Sequence, residues 1–168
     1  FDYESVEVYK GPASTLFGRG STGGVINQVL KTPQLAPIFD VSATAGTNSE
    51  ARATADVNHA FADHAAARIN VMGQKNLVEG RPYAKTQRWG IAPAIAFGID
   101  TDTEGTLKYL HQEEDNLPDY GIPFLFDKPA PVARDAFYGL PSDDRFKTKV
   151  DVVTGRIQHA INQTWAVS

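Results

Sequence analysis

The chain has 168 residues, 42% of them hydrophobic, with 16 Lys and Arg against 20 Asp and Glu, a formal net charge of −4 and no cysteine. No stretch approaches the roughly 18 consecutive apolar residues of a membrane-crossing helix; a membrane barrel is not excluded, because its strands need apolar residues only at every second position. Scattered cations make no case for nucleic acid, and the absence of cysteine removes disulfides, thiolate metal sites and cysteine nucleophiles together.

In chain order, residues 1 to about 34 form one unit rich in Gly, Ser and Thr. No signal peptide opens it, since Phe1-Asp2-Tyr3-Glu4 is acidic and lacks an apolar core. A short alternating strand over Val6–Tyr9 meets a corner at Gly11-Pro12, and four glycines then fall between Gly18 and Gly24. Gly18, Gly20 and Gly23 match the letters of a dinucleotide loop. That motif must open a helix, whereas Val25–Val29 is β-rich, and Gly24-Val25 stands where a phosphate loop needs Lys and Ser or Thr. Tight turns with positive φ or close backbone approach explain the glycines better.

Period-two alternation follows, the mark of strands with one apolar face. It runs through 39–46, 51–57, 65–74 and 88–97, with apolar residues at odd positions. Arg52, Asp56, Arg68, Asn70 and Arg88 fall at even ones. Trp89 and Phe97 lie eight residues apart on the apolar side. That is roughly 27 Å along a strand, a spacing that suits two aromatic girdles around a hydrocarbon band of about 25 Å. Arginines and amides opposite suit a wet or plugged lumen better than a dry sandwich core. A last strand, about Thr148–His159, alternates less cleanly because Val150, Val152 and Val153 occupy both parities. Links near 47–49, 61–63 and 99–103 read as short, and those at about 76–86 and 114–147 as long. The end, Thr164–Ser168, reads as a new strand just beginning. Both ends look cut, so the chain is expected to be an internal piece of a longer protein.

No catalytic constellation emerges. His59, His64, His111 and His159 do not form a ligand set, and Ser14 and Ser21 have no identifiable His and Asp partners.

Val6 to Asn27 resembles the last part of the plug domain of TonB-dependent outer-membrane receptors, most closely those for siderophores. Tyr109 to Phe124, with Asp119-Tyr120-Gly121-Ile122-Pro123 at its heart, is similar to the segment leading into a large external loop of ferric siderophore receptors. The resemblance implies an all-β chain, part of a 22-stranded antiparallel transmembrane β-barrel with the C-terminal part of its plug. Residues 1–34 would be the plug, and 35–168 the first six to seven barrel strands. The short links at 61–63 and 99–103 would then lie on the periplasmic side and both long links outside.

The implied function is binding of a ferric siderophore and its import through the bacterial outer membrane. The TonB machinery would supply energy through an N-terminal segment not in this chain, and outer-membrane lipid would surround the barrel. The implied protein is not an enzyme and needs no cofactor. The Leu16-Phe17-Gly18 triplet aligns with the plug apex, so Phe17 and Arg19 are candidate ligand contacts, with Tyr120 and Phe124 of the loop. Phe17 packed on the barrel wall and Arg19 paired with a lumenal carboxylate is an equal alternative, and an ordinary rigid turn suits Glu113–Asp115. Arg52, Arg68 and Arg88 are expected to face plug or lumenal water. Receptors for cobalamin, haem or glycan, an ungated porin and a soluble β-sandwich binding module stay open as alternatives.

Overall fold

The computed structural model describes residues 1–12, 18, 23–47, 49–162 and 164–168. Every regular element among them is a strand, and the chain divides into two compact units, Phe1–Thr32 and Pro33–Ser168.

The first unit pairs β1 (Tyr3–Lys10) antiparallel with β2 (Gly24–Leu30). Glu7 stands opposite Asn27 and accepts bonds of 2.9 Å from the Asn27 amide and from the Tyr9 hydroxyl. The Asn27 bond, then the Tyr9 bond, holds the Glu7 carboxyl below its ordinary range. The glycine reading holds where it can be seen. Gly11 has φ 90° and donates to the Gly23 carbonyl at 3.2 Å. A Cβ on Gly24 would lie 2.6 Å from the Tyr9 carbonyl oxygen, so only glycine allows the strands to pair this closely there.

In the second unit β3 (Ile38–Ala45), β4 (Ala51–Ala62), β5 (Ala65–Val78), β6 (Arg81–Phe97) and β7 (Thr103–Leu117) pair in sequence order. After a small hairpin of β8 (Phe124–Leu125) and β9 (Lys128–Pro129), β10 (Phe146–Ala160) joins β7, and two-residue β11 (Ala166–Val167) joins β10. The sheet is antiparallel throughout. β4 to β7 and β10 have 12 to 17 residues, well beyond the usual strand of about 5 to 6.

Antiparallel partners share a face, and the register keeps odd positions on one face and even positions on the other. Phe39, Val57, Ile69 and Pro93 form one row. What this sheet covers is the reverse of a soluble protein. Asp56, Asn58, Arg68, Asn70 and Lys108, all even, are buried. Phe39 is 81% exposed and Ile157 70%, and Trp89, Phe97 and Leu107 are half exposed, all odd. The even face keeps its neighbours close with small residues, Ala92, Ala94 and Ala96. Its buried charge is matched: Arg68 donates to both Asp56 oxygens, at 2.8 and 2.7 Å. Asn58 anchors the lead-in to β3, accepting from the Gln34 amide at 3.1 Å and donating to the Gln34 and Ala36 carbonyls at 2.6 and 2.7 Å.

The odd face is banded. The row of Trp89 also holds Glu113 and Lys149, and the Trp89 indole donates to Glu113 at 3.3 Å. The row beyond it carries Lys75, Gln87, Asp115 and Lys147. At the other end Phe97 stacks edge-on against Phe61 at 6.0 Å. Between these two aromatic levels the odd face of β5 and β6 is apolar, as the spacing predicts, while His59 stands opposite Ala67 and His111 opposite Asp151 on the same face. The unclear parity of the last strand resolves as well, with Val153 opposite Tyr109 on the apolar face and Val150 opposite Gln112 on the polar one.

Near the Phe97 end, His64 and Ile99 exchange bonds: the Ile99 amide donates to the His64 carbonyl at 3.0 Å, and the His64 Nδ1 lies 2.8 Å from the Ile99 carbonyl. The small apolar cluster of Ala66, Ala96 and Ile99, flanked by Leu35 and Ala60, sits there.

Two expectations need correction. The link at 76–86 is not long: β5 and β6 run on to Val78 and Arg81, leaving only Glu79 and Gly80 between them. One long link remains, 118–145. Glu113–Asp115 are also not the start of that loop but part of β7, because Lys149 and Lys147 stand directly opposite Glu113 and Asp115. Opposite charges in register stabilise a strand pair that the acidic run alone disfavours.

Candidate functional site

From the Trp89 row to the end of the sheet, residues of three successive rows border a hollow of about 840 Å³ that reaches from β3 to β10, and the even, middle row is the one whose side chains share the covered face. The middle row reads Thr44, Arg52, Gln74, Arg88, Glu114, Thr148 across six strands. Gln74 Oε1 accepts from Arg52 Nη1 at 2.6 Å and from Arg88 Nε and Nη2 at 3.1 and 2.8 Å. Glu114, opposite Arg88, accepts from Gln112 Nε2 at 3.1 Å. Arg52 and Arg88 were legible as residues of the polar face. That Gln74 joins them became visible only with the register, since the three are 22 and 14 residues apart.

At the same end of the sheet the long link is tied down at three places, the first of them at Arg81. Arg81, first in β6, binds both carboxylate oxygens of Asp119 and donates through Nη1 to the Arg134 carbonyl at 2.6 Å. Asp119 also accepts from the Gly121 amide at 2.8 Å, closing the turn of the Asp-Tyr-Gly motif. The Arg81 bond first, then that of Gly121, holds the Asp119 carboxyl below its ordinary range. Tyr83 packs on Phe137 of the link at 5.4 Å, and Arg145 pairs with Asp115 where the link returns. No sequence spacing announces Arg81 as the partner of a residue 38 positions away.

Of the four candidate contacts, Phe17 and Arg19 lie outside the described residues. Tyr120 is 66% exposed beside the clamped Asp119, and Phe124 is 72% exposed in β8. Neither Tyr120 nor Phe124 borders the hollow, so the structure does not bring these two together with the arginine row.

The fold thus defines a class: an all-β chain whose main sheet carries its apolar face outward and its polar face inward. Residues 1–25 match the family profile of the TonB-dependent receptor plug domain. The chain is similar to the catecholate siderophore receptor Fiu of Escherichia coli O157:H7, at 40% identity over 99% of this chain and 24% of that one. It is also similar to the probable TonB-dependent siderophore receptor PiuA of Acinetobacter baumannii, at 36% identity over 100% of this chain and 24% of the relative. The crystal structure of the ferric-catecholate import receptor Fiu from E. coli, in its open form, superposes with a TM-score of 0.86 at 36% identity, over 97% of this chain and 27% of that one.

Over nearly its whole length the chain is thus similar to TonB-dependent receptors, and its first 25 residues match their plug-domain profile. It spans about a quarter of the length of the curated relatives it matches.

Proposed function

We propose that residues 1–34 are the end of a plug and residues 35–168 the first six to seven strands of an outer-membrane barrel. The whole protein is then a receptor that binds a ferric siderophore outside the cell and imports it with energy from TonB. The inverted sheet carries this reading: a face with exposed Phe39 and Ile157, bracketed by the aromatic levels of Trp89 and Phe97, suits lipid. The buried Asp56, Asn58, Arg68 and Asn70 suit a polar lumen. The names of the relatives support a ferric catecholate as the cargo.

In this reading the work is binding and gated passage rather than catalysis. Phe17 and Arg19 at the plug apex, with Tyr120 and Phe124 on the external loop, contact the ligand. An aromatic face and a guanidinium suit aromatic, anionic chelating groups through stacking and charge-assisted hydrogen bonds.

The test uses the full-length receptor in detergent. Tryptophan fluorescence is recorded while ferric catecholates, hydroxamates and carboxylates are titrated, with cobalamin and haem as controls. Saturable quenching by a ferric catecholate, weakened in Phe17→Ala and Arg19→Ala, is the expected result. Binding of cobalamin or haem alone overturns the siderophore reading.

A further inference from the structure

Arg52 and Arg88 are held in an unusual way for two cations. Arg68, Arg81 and Arg145 are matched to carboxylates, those of Asp56, Asp119 and Asp115, while Arg156 of β10 donates to the neutral Gln158 Oε1 of its own strand at 2.9 Å. Among the described residues Arg52 and Arg88 share instead a single neutral acceptor, the Gln74 Oε1. Two guanidiniums meeting at one amide oxygen repel each other, and an amide dipole offsets only part of that.

The carboxylates nearby are engaged elsewhere. Glu114 takes the Gln112 amide, Asp115 takes Arg145, and Glu113 takes the Trp89 indole at 3.3 Å with the Lys149 ammonium at 3.9 Å. Of the charged residues bordering the hollow, those on the even face are Arg52, Arg88 and Glu114, two cations against one carboxylate. The Gln74 oxygen takes one N–H of Arg52 and two of Arg88, out of the five that each guanidinium carries.

We propose that Arg52 and Arg88, set at a fixed separation by Gln74, form an anion subsite in the wall of the hollow. Its ligand is an anionic oxygen chelate such as a ferric tris-catecholate, whose outward oxygens accept from both forks while the metal stays wrapped in its own ligands. The subsite rests on the receptor reading above and adds to it a contact on the strands, apart from the plug apex and the external loop. Gln74 is a positioning residue here, acting through the two arginines.

The full-length receptor tests this with two ferric complexes of similar size, an anionic tris-catecholate and a neutral tris-hydroxamate, titrated against the wild type and against Arg52→Gln and Arg88→Gln. Far-UV circular dichroism confirms the barrel in each variant, and Arg52→Lys, which keeps the charge and loses the fork, provides a second variant at the same position. Each Gln variant is expected to bind the anionic complex at least tenfold more weakly, the loss of a charge-assisted contact. Binding of the neutral complex, where it occurs, stays unchanged, and the salt dependence of anion binding falls. Arg52→Lys is expected to lie between the wild type and Arg52→Gln. Unchanged binding of the anionic complex in both Gln variants overturns the subsite and leaves the receptor reading standing. An equal loss for both complexes also overturns it, since the arginines would then only be shaping the hollow. If neither complex binds the wild type, the receptor reading falls, and the subsite with it.

Discussion

Asp119 serves two masters, the Gly121 amide of its own turn and the Arg81 guanidinium at the start of β6. Because the Arg81 bond depresses its pKa, the folded state keeps this carboxylate charged more readily than the unfolded chain does. The sign follows from linkage: the clamp contributes in full above the ordinary aspartate value of about 3.9 and is lost as pH falls through the lower folded value. Limited proteolysis of the 118–145 link in the full-length receptor should therefore be slow at neutral pH and accelerate below about pH 3.9. Asp119→Asn should make cleavage fast at every pH, and equal rates in the wild type and this variant at neutral pH would remove the clamp from the account. At this scale the sequence shows which residues are polar, aromatic or hinge-like, and the Asp-Tyr-Gly turn is readable from its residue types. The pairs Arg81–Asp119 and Arg52–Gln74–Arg88 were not readable, because contacts between residues on different strands exist only once the register is set.

Among the elements, the turn between β6 and β7 is the most constrained. Gly98 has φ 70°, and a Cβ there would lie 1.9 Å from the Thr103 carbonyl oxygen. Gly80, in the turn between β5 and β6, has φ 69° with only the Arg134 Nε at 4.0 Å from such a Cβ. The two glycines separate backbone strain from collision. Gly80→Ala should destabilise the barrel by about 1 kcal/mol, and Gly98→Ala by distinctly more, measured as denaturant midpoints of the refolded full-length protein. Equal midpoints in the two variants would contradict the close approach at Gly98. Strand existence was legible for β3 to β6 because their alternation is strong, and for β10 in spite of valines on both parities. Strand ends were less so: Glu79-Gly80 closes the turn in two residues, between Val78 and Arg81. The acidic end of β7 became intelligible only with Lys147 and Lys149 opposite, a complementarity that lies about 35 residues away in sequence.

For the molecule as a whole, the outward apolar face ties the parts together. One parity rule extends from β3 to β10, and it places Asp56, Asn58, Arg68 and Asn70 on the covered face and Phe39, Trp89, Phe97 and Ile157 on the open one. The class of fold was therefore readable from alternation and strand length, while the hollow and its arginine row emerge only from six strands laid side by side.

The most direct test places single cysteines at positions 92 to 95 of β6, each in an otherwise cysteine-free full-length receptor reconstituted in bilayers. Each site carries a nitroxide label, and collision with oxygen dissolved in the lipid is measured. Strong collision is expected at Pro93 and Ile95 and weak collision at Ala92 and Ala94. Uniform values, or an alternation of the opposite phase, would contradict an apolar face turned to lipid.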